Sequence, residues 1–314
     1  MQPQFQPVGT YAHQAIQTHF SHIRQQEKSV LAHGDPEFLH QMRVGLRRLR
    51  TAHGAFEAAI VLPAEVNEPA LKRLGKVLGR VRDLDVLQSW LTHFRDKTNL
   101  SKSETKVLRT LIQTLKKRRK EYVVRMEKYL HSKDYKHLVK AIKKWLKHPQ
   151  YQPLANLPLA VVLPDLLLPM LGQLLLHPGW LVTDDTHALE QVHDLRKQIK
   201  GLRYQMVLFS DFYGEAYKDQ VGAFKQLQDL LGKLQDEVVL QSFLVSVLGD
   251  SWMQKLPSLE RYFQKQHQTL WQQWLTHRQS YLSLERRDAL YQLFLPAVVE
   301  SRSHPMGQPL PLSS

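Results

Sequence analysis

The chain has 314 residues, room for one large or two medium-sized domains, and 43% of them are hydrophobic, enough to bury a substantial core. Its 43 lysine and arginine residues against 29 aspartate and glutamate residues give a formal charge of +14. This excess predicts an anionic partner, such as nucleic acid, polyphosphate or an anionic membrane. The absence of cysteine excludes disulfides, thiolate catalysis and most structural zinc sites.

In the first half, apolar residues recur at helical spacing and no strand alternation is convincing, which predicts an all-α protein. Residues 1–9 form a loose lead. Helices are predicted over residues 10–32, 36–60, 71–94, 103–130 and 132–147. Asp35 followed by Pro36 is a typical start for the second of these helices. Residues 148–158 are rich in proline and lose the helical period, which predicts a linker.

In the second half, helices are predicted near residues 163–177, 185–213, 218–248, 255–281 and 284–300, followed by a disordered tail over 301–314. The most apolar stretch, 154–176, contains three prolines and Asp165, so it fits a buried helix better than a membrane span. The first ten residues lack the charged and apolar regions of a signal peptide. We therefore expect a soluble, cytoplasmic protein with no membrane partner.

The segment 40–50, HQMRVGLRRLR, combines a basic row with an apolar stripe. The basic side chains fall within about 80° of one another on a helix. They are His40, Arg43, Arg47 and Arg50. The apolar stripe, which predicts a core face, comprises Met42, Leu46, Leu49 and Phe56. Guanidinium groups present forked donors that suit phosphate oxygens, although a solvated basic face is the alternative for such a row.

The same pattern returns after 193 − 40 = 153 residues, in HDLRKQIKGLR at 193–203. Its basic row is His193, Arg196, Lys200 and Arg203. Its apolar stripe is Leu195, Ile199, Leu202 and Phe209. Segments 71–83 and 224–236 keep the same offset, with matched glycines at 232 − 79 = 153. Two matches at one spacing indicate an internal duplication. We predict helical bundles over 8–148 and 163–300, a linker over 149–162, and a pseudo-twofold axis that places both basic rows in one cleft.

Further basic positions favour the first half. A polar row on the third predicted helix consists of Lys72, Lys76, Arg80 and Asp83. The run KKRRK at 116–120 corresponds to TLWQQ at 269–273. Gly79 and Gly232 each cost roughly 1 kcal/mol relative to alanine in a helix, which suggests that another helix or a ligand approaches closely, with a tolerated glycine as the alternative.

Four segments, at 40–50, 74–87, 192–204 and 230–240, resemble the conserved-histidine α-helical domain (CHAD) family over roughly residues 8–300. The resemblance implies an internally duplicated helical fold with a basic central groove or pore that binds inorganic polyphosphate. Many relatives also carry a triphosphate-tunnel domain with an ExExK signature. That signature does not occur in this sequence, so the resemblance implies a stand-alone binding module.

By motif position, the resemblance points to His40, Arg43, Arg47, Arg50, Arg80, His193, Arg196, Lys200, Arg203 and Lys233. The neighbouring basic rows add Arg48, Lys72, Lys76, Arg82, Arg118, Arg119 and Lys225. The second repeat has Gln235 in the place of Arg82, which weakens its expected contribution. Asp83 and Asp236 are expected to partner nearby basic groups. No catalytic residue, metal site or cofactor is predicted.

Non-catalytic polyphosphate binding through charge and counterion release is therefore the favoured interpretation, with polyphosphate-associated proteins and polyphosphate granules as further expectations. A metal-dependent phosphohydrolase is one alternative, suggested by adjacent His193 and Asp194 with His187 nearby. The first repeat has Gln41 in the place of that aspartate, and no second ligand cluster accompanies the pair. A nucleic-acid-binding protein is the other alternative, although aromatic residues do not interleave with the basic rows.

Overall fold

The computed structural model describes residues 6–32, 34–183 and 189–295. Within those ranges the protein is all-helical, as predicted, and the only β-type pairing is two isolated bridges. The predicted tail over 301–314, the outer ends of two predicted helices at 185–188 and 296–300, and His187 lie outside the described residues.

The helices of the first half are α1 (Val8–Leu31), α2 (Pro36–Ala55), α3 (Glu68–Lys97), α4 (Lys102–Leu130) and α5 (Lys133–Lys147). Those of the second half are α6 (Leu159–Leu175), α7 (Leu189–Leu208), α8 (Glu215–Leu248), α9 (Trp252–Lys255), α10 (Pro257–Tyr281) and α11 (Leu284–Leu293). Short 3₁₀ turns precede α6, α7 and α8. The start of α2 is confirmed, since the Asp35 side chain accepts a hydrogen bond from the Glu37 backbone N–H at 2.8 Å.

Helix α2 ends five residues before the predicted position because the following chain pairs with the inter-repeat linker. The Val61 N–H donates to the Gln150 carbonyl, and the Gln152 N–H donates to the Ala59 carbonyl, each at 2.9 Å. These bonds form an isolated bridge between Ile60 and Tyr151, which requires extended backbone. The linker is thus anchored to the first half by backbone hydrogen bonds.

Helix α6 begins at Leu159, inside the segment predicted as linker, and continues through Pro164 and Pro169. Pro158 precedes the helix, and the backbone N–H of Leu159, its first residue, donates to the Gln6 carbonyl at 2.9 Å. By length and composition alone, Leu159–Leu181 could cross a membrane, although a core helix passes the same test. In α6, the residues facing the core are Leu159, Val162, Leu163, Leu167, Leu171, Leu174 and Leu175.

The apolar stripes of both motifs are confirmed as core faces, because all eight side chains are at most 3% exposed. They belong to one hydrophobic core that extends from Val8 to Phe294 and includes residues of both halves. A smaller core joins the C-terminal ends of α3 and α8 to α4, α9 and α10. Two sets of buried contacts therefore hold the halves together.

Helix bounds in the two halves correspond at the predicted offset. Adding 153 to the bounds of α2 gives 36 + 153 = 189 and 55 + 153 = 208, the bounds of α7. The internal duplication and the pseudo-twofold axis remain predictions, with this correspondence in their favour.

Candidate functional site

Helices α2 and α7 pack against each other, and their basic side chains meet around Tyr204. The Arg47 guanidinium donates a hydrogen bond to the Tyr204 hydroxyl and lies 4.9 Å from the centre of its ring. The Arg203 guanidinium lies 4.4 Å from the same ring centre. Tyr204 therefore holds one arginine from each half by hydrogen bonding and cation–π attraction.

Lys200 is a half-buried lysine whose charge is opposed by those of nearby arginines. Burial, followed by the charges of four arginines, lowers its pKa from 10.5 to about 8. The arginines are Arg43 and Arg47 of α2 together with Arg196 and Arg203 of α7. Like charges disfavour the protonated amine, as does the loss of hydration. We call Lys200, these four arginines and Tyr204 the basic cluster.

Two arginines of the basic cluster lie against glycines of neighbouring helices, and only Gly79 is required by the closeness of the contact. A Cβ atom at Gly79 of α3 would overlap the Arg43 guanidinium. A Cβ atom at Gly232 of α8 would lie 3.5 Å from Arg196 Nε, an ordinary van der Waals distance. A close approach is therefore present at Gly79, where it is made by the side chain of Arg43, whereas Gly232 has only an ordinary contact with Arg196.

Two aspartates accompany the basic cluster, as expected. Asp83 Oδ1 lies 3.8 Å from Arg43 Nη2, and its side chain is 68% exposed, so this ion pair is weak and screened by solvent. Loss of hydration is the main cause that raises the pKa of Asp236, and the charge of Asp83 raises it further, whereas Arg196 opposes the shift. The carboxylates of α3 and α8 therefore lie close enough to repel each other.

Burial lowers the pKa of both motif histidines below 6.5, which favours neutral imidazoles at pH 7 in the unliganded protein. The next cause at His40 is the charge of Arg82, with smaller effects of Arg47 and Arg43. At His193, nearby Lys197 and Arg196 act in the same direction, and Gln235 forms a side-chain hydrogen bond with the ring. The His193 Nδ1 atom is buried and has no partner among the described residues.

Several sequence-predicted binding residues, inside and outside the basic cluster, have partners that do not belong to it. Arg50 forms an ion pair with Glu68, while Arg203 Nε donates to Gln228 Oε1 at 3.0 Å. Arg119 forms an ion pair with Asp85, whose side chain is 8% exposed. Arg119 thus neutralises a buried carboxylate within the first half.

The remaining predicted residues are spread over α2, α3, α4 and α8. The Arg80 guanidinium lies 5.6 Å from the ring centre of Tyr122, and Arg118 lies 5.4 Å from that of Phe243. Arg48 lies near His19 of α1. Burial is the main cause that lowers the pKa of His19 to about 4, and the charge of Arg48 is the next. Four of the predicted binding residues are exposed lysines, namely Lys72, Lys76, Lys225 and Lys233.

Tyr204 is the member of the basic cluster that the sequence did not predict. It follows Arg203 directly in VHDLRKQIKGLRY, and the corresponding first-half residue is Thr51. The signal available in the sequence was an aromatic residue directly after a motif arginine. Its contact with Arg47 depends on the packing of α2 against α7. Among the described residues, no group of three or more histidine, aspartate or glutamate side chains could hold a metal ion.

These features define the class: an all-helical protein in which two adjacent helices bring arginine, lysine and histidine side chains together. The chain belongs to the CHAD domain family, whose model matches residues 14–245. Its fold is similar to the crystal structure of the CHAD domain from the plant Ricinus communis, with a TM-score of 0.59 and 24% identity over 93% of this chain and 92% of that one.

A second solved structure, PptA from Streptomyces chartreusis, is similar with a TM-score of 0.52 and 15% identity over 83% of this chain and 99% of that one. At these identities, both structures show the shared fold alone. None of the curated proteins matches this chain.

Proposed function

We propose that this protein binds inorganic polyphosphate at the basic cluster without processing it. The observation that carries the proposal is Lys200, which lies among arginines from both α2 and α7 and has its pKa lowered to about 8. Concentrating positive charge in a partly buried place is unfavourable in the free protein. A bound polyanion relieves that repulsion, and a chain of phosphates presents oxygens to each guanidinium in turn.

The proposal includes an internal duplication with both motif rows along one groove. The equal lengths of α2 and α7 at an offset of 153, the cation–π contacts of Arg47 and Arg203 with Tyr204, and the paired glycines support it. Polyphosphate has no base edges, so dense donors along a track suffice and counterion release dominates affinity. We expect Arg43, Arg47, Lys200 and Arg196 to contribute most.

The test is a titration of the purified protein with long-chain polyphosphate at several salt concentrations, with released phosphate measured in parallel. We expect saturable binding that weakens steeply with salt and no sustained phosphate release with Mg²⁺ or Mn²⁺. Release that His193→Ala abolishes would instead support a phosphohydrolase. A competition with duplex DNA separates the remaining alternative, since a nucleic-acid-binding protein would prefer DNA at equal charge concentration.

We further propose that the protein associates with cytoplasmic polyphosphate granules and with proteins found there. The support is the proposed ligand, because a binder of the polymer follows its distribution. A fluorescent fusion should colocalise with granules in cells that store polyphosphate, and a fusion with Arg43→Ala and Arg47→Ala should not. Colocalisation of both fusions would contradict recruitment through the basic cluster.

A further inference from the structure

A cleft of about 710 Å³ opens beside the basic cluster, between α3, α7, α8 and α10. Part of its wall is basic and includes His193, Arg196 and Lys233. Another part is apolar and aromatic and includes Trp90 and Tyr262, with further aliphatic side chains from α3 and α8. This volume and mixed lining are typical of small-molecule sites.

Several buried polar atoms in the cleft wall lack hydrogen-bond partners among the described residues. Glu237 is only 7% exposed, and its Oε2 lies 3.2 Å from His267 Nδ1, but its Oε1 has no partner. Arg196 Nε and His193 Nδ1 are also buried and without partners. Because buried polar groups are normally paired, a ligand that donates to Glu237 Oε1 and accepts from Arg196 would supply partners for two of these three atoms.

We propose that this cleft binds a purine nucleotide. An amino or ring N–H group of the base donates to Glu237 Oε1, while the ring stacks on Tyr262, which is 37% exposed. The phosphates accept from Arg196 and Lys233 and extend toward the basic cluster. The placement of the phosphates rests on the proposed function, whereas the recognition of the base rests on the cleft alone.

Besides Glu237, the cleft wall contains two further carboxylates, Asp83 and Asp236, which would repel an anionic ligand if they were not neutralised. Asp83 has Arg43 at 3.8 Å, and the charge of Arg196 acts on Asp236. These basic neighbours offset the aspartates.

The experiment is calorimetric titration of the full chain at low salt and pH 7 in EDTA, with ATP, GTP and tripolyphosphate as probes. Tripolyphosphate carries the phosphates without a base. We expect ATP and GTP to bind at least about tenfold more tightly than tripolyphosphate. Equal affinities for the nucleotides and tripolyphosphate would overturn the inference.

Variants of the stacking residue test the site directly. Tyr262→Ala should weaken ATP binding by roughly 5- to 150-fold, the range that base–aromatic stacking supports, and leave tripolyphosphate binding unchanged. Tyr291→Ala is the matched control, because Tyr291 on α11 is 39% exposed and does not line the cleft. An equal loss for both probes with Tyr262→Ala would contradict base recognition.

A second pair of variants keeps the test decisive if Tyr262→Ala does not fold. Val239 lines the cleft and is 42% exposed, while Val245 lies on the same helix, is 41% exposed and does not line it. Val239→Gln should weaken ATP binding and Val245→Gln should not; equal effects would overturn the inference. Long-chain polyphosphate binding that persists without nucleotide binding leaves the proposed function standing, whereas nucleotide binding alone refutes that function.

Discussion

Gly79 is the position at which adding one carbon atom tests the placement of Arg43. The Cβ atom of Gly79→Ala would overlap the Arg43 guanidinium, so that group must move away from α3. The displaced atoms are at the far end of a flexible side chain, and the backbone therefore has no reason to shift. Gly232→Ala is the matched control, because its Cβ would lie 3.5 Å from Arg196 Nε without overlap.

The expected magnitudes follow from helix propensity and from one phosphate contact. Both substitutions remove a mid-helix glycine, which favours folding by roughly 1 kcal/mol, so neither variant should melt earlier than the wild type. Moving Arg43 should remove one charge-assisted contact, which corresponds to a loss of about tenfold in polyphosphate affinity at low salt. The log–log salt dependence should flatten by about 0.7 if polyphosphate behaves as single-stranded nucleic acid does.

The assay is titration of labelled polyphosphate by fluorescence anisotropy at four salt concentrations, with thermal melts of each variant. Gly79→Ala should lose affinity without losing stability, while Gly232→Ala should keep wild-type affinity. Equal affinities for the two variants would refute the reasoning that Arg43 acts from its place against Gly79. A loss of stability in Gly79→Ala would show that α3 itself moves.

Four further predictions concern the basic cluster. Replacing Arg43 and Arg47 with alanine should flatten the salt dependence of polyphosphate binding by about 1.4, whereas Arg73→Ala, outside the cluster, should change it little; equal slopes would contradict the assignment. Because Lys200 has a lowered pKa of about 8, it loses its charge as pH rises through that value, so affinity should fall between pH 7 and 9 and Lys200→Arg should abolish this fall. The same lowering makes the unfolded chain bind more protons between about pH 8 and the ordinary lysine pKa, so the unfavourable effect of charged Lys200 on folding should be relieved and stability should rise across that interval, as denaturant titrations at several pH values can measure. Tyr204→Phe keeps the ring and loses only the hydroxyl that accepts from Arg47, so it should weaken binding less than Tyr204→Ala; the reverse order in anisotropy titrations would exclude the cation–π contacts as the main support.

Helical periodicity was sufficient to predict the fold class, the core stripes and the place of the motif helices. An apolar residue every three or four positions faces the core regardless of the neighbouring helices, as Met42 and Leu195 illustrate, both 0% exposed. The end of α2 was not predictable in this way. Its position depends on backbone bonds from Ala59 and Val61 to a segment about 90 residues later, and such pairing leaves no local periodic signal.

Charge pattern alone was a poorer guide to which basic residues are available to a ligand. Arg119 and Arg43 are both arginines in predicted basic rows, yet Arg119 pairs with the buried carboxylate of Asp85. Removing one partner from a buried pair leaves an uncompensated charge, so such an arginine is held by the fold. The sequence does not show that Arg119 and Asp85 form a pair, because only the packing of α3 against α4 brings them together.

The second half differs from the first because it supplies neutral partners for basic side chains of the motif rows. Tyr204, Gln228 and Gln235 contact Arg47, Arg203 and His193 respectively. The first-half residues at the same offset are Thr51, Gly75 and Arg82. At Arg82 the first half adds a positive charge where the second half has a hydrogen-bonding amide, and Tyr204 also orients an arginine of the opposite half. Both halves therefore contribute to the proposed polyanion site: α2 supplies two of the five cations of the basic cluster, and α7 supplies the other three together with Tyr204, which orients Arg47, so neither half alone would retain the site.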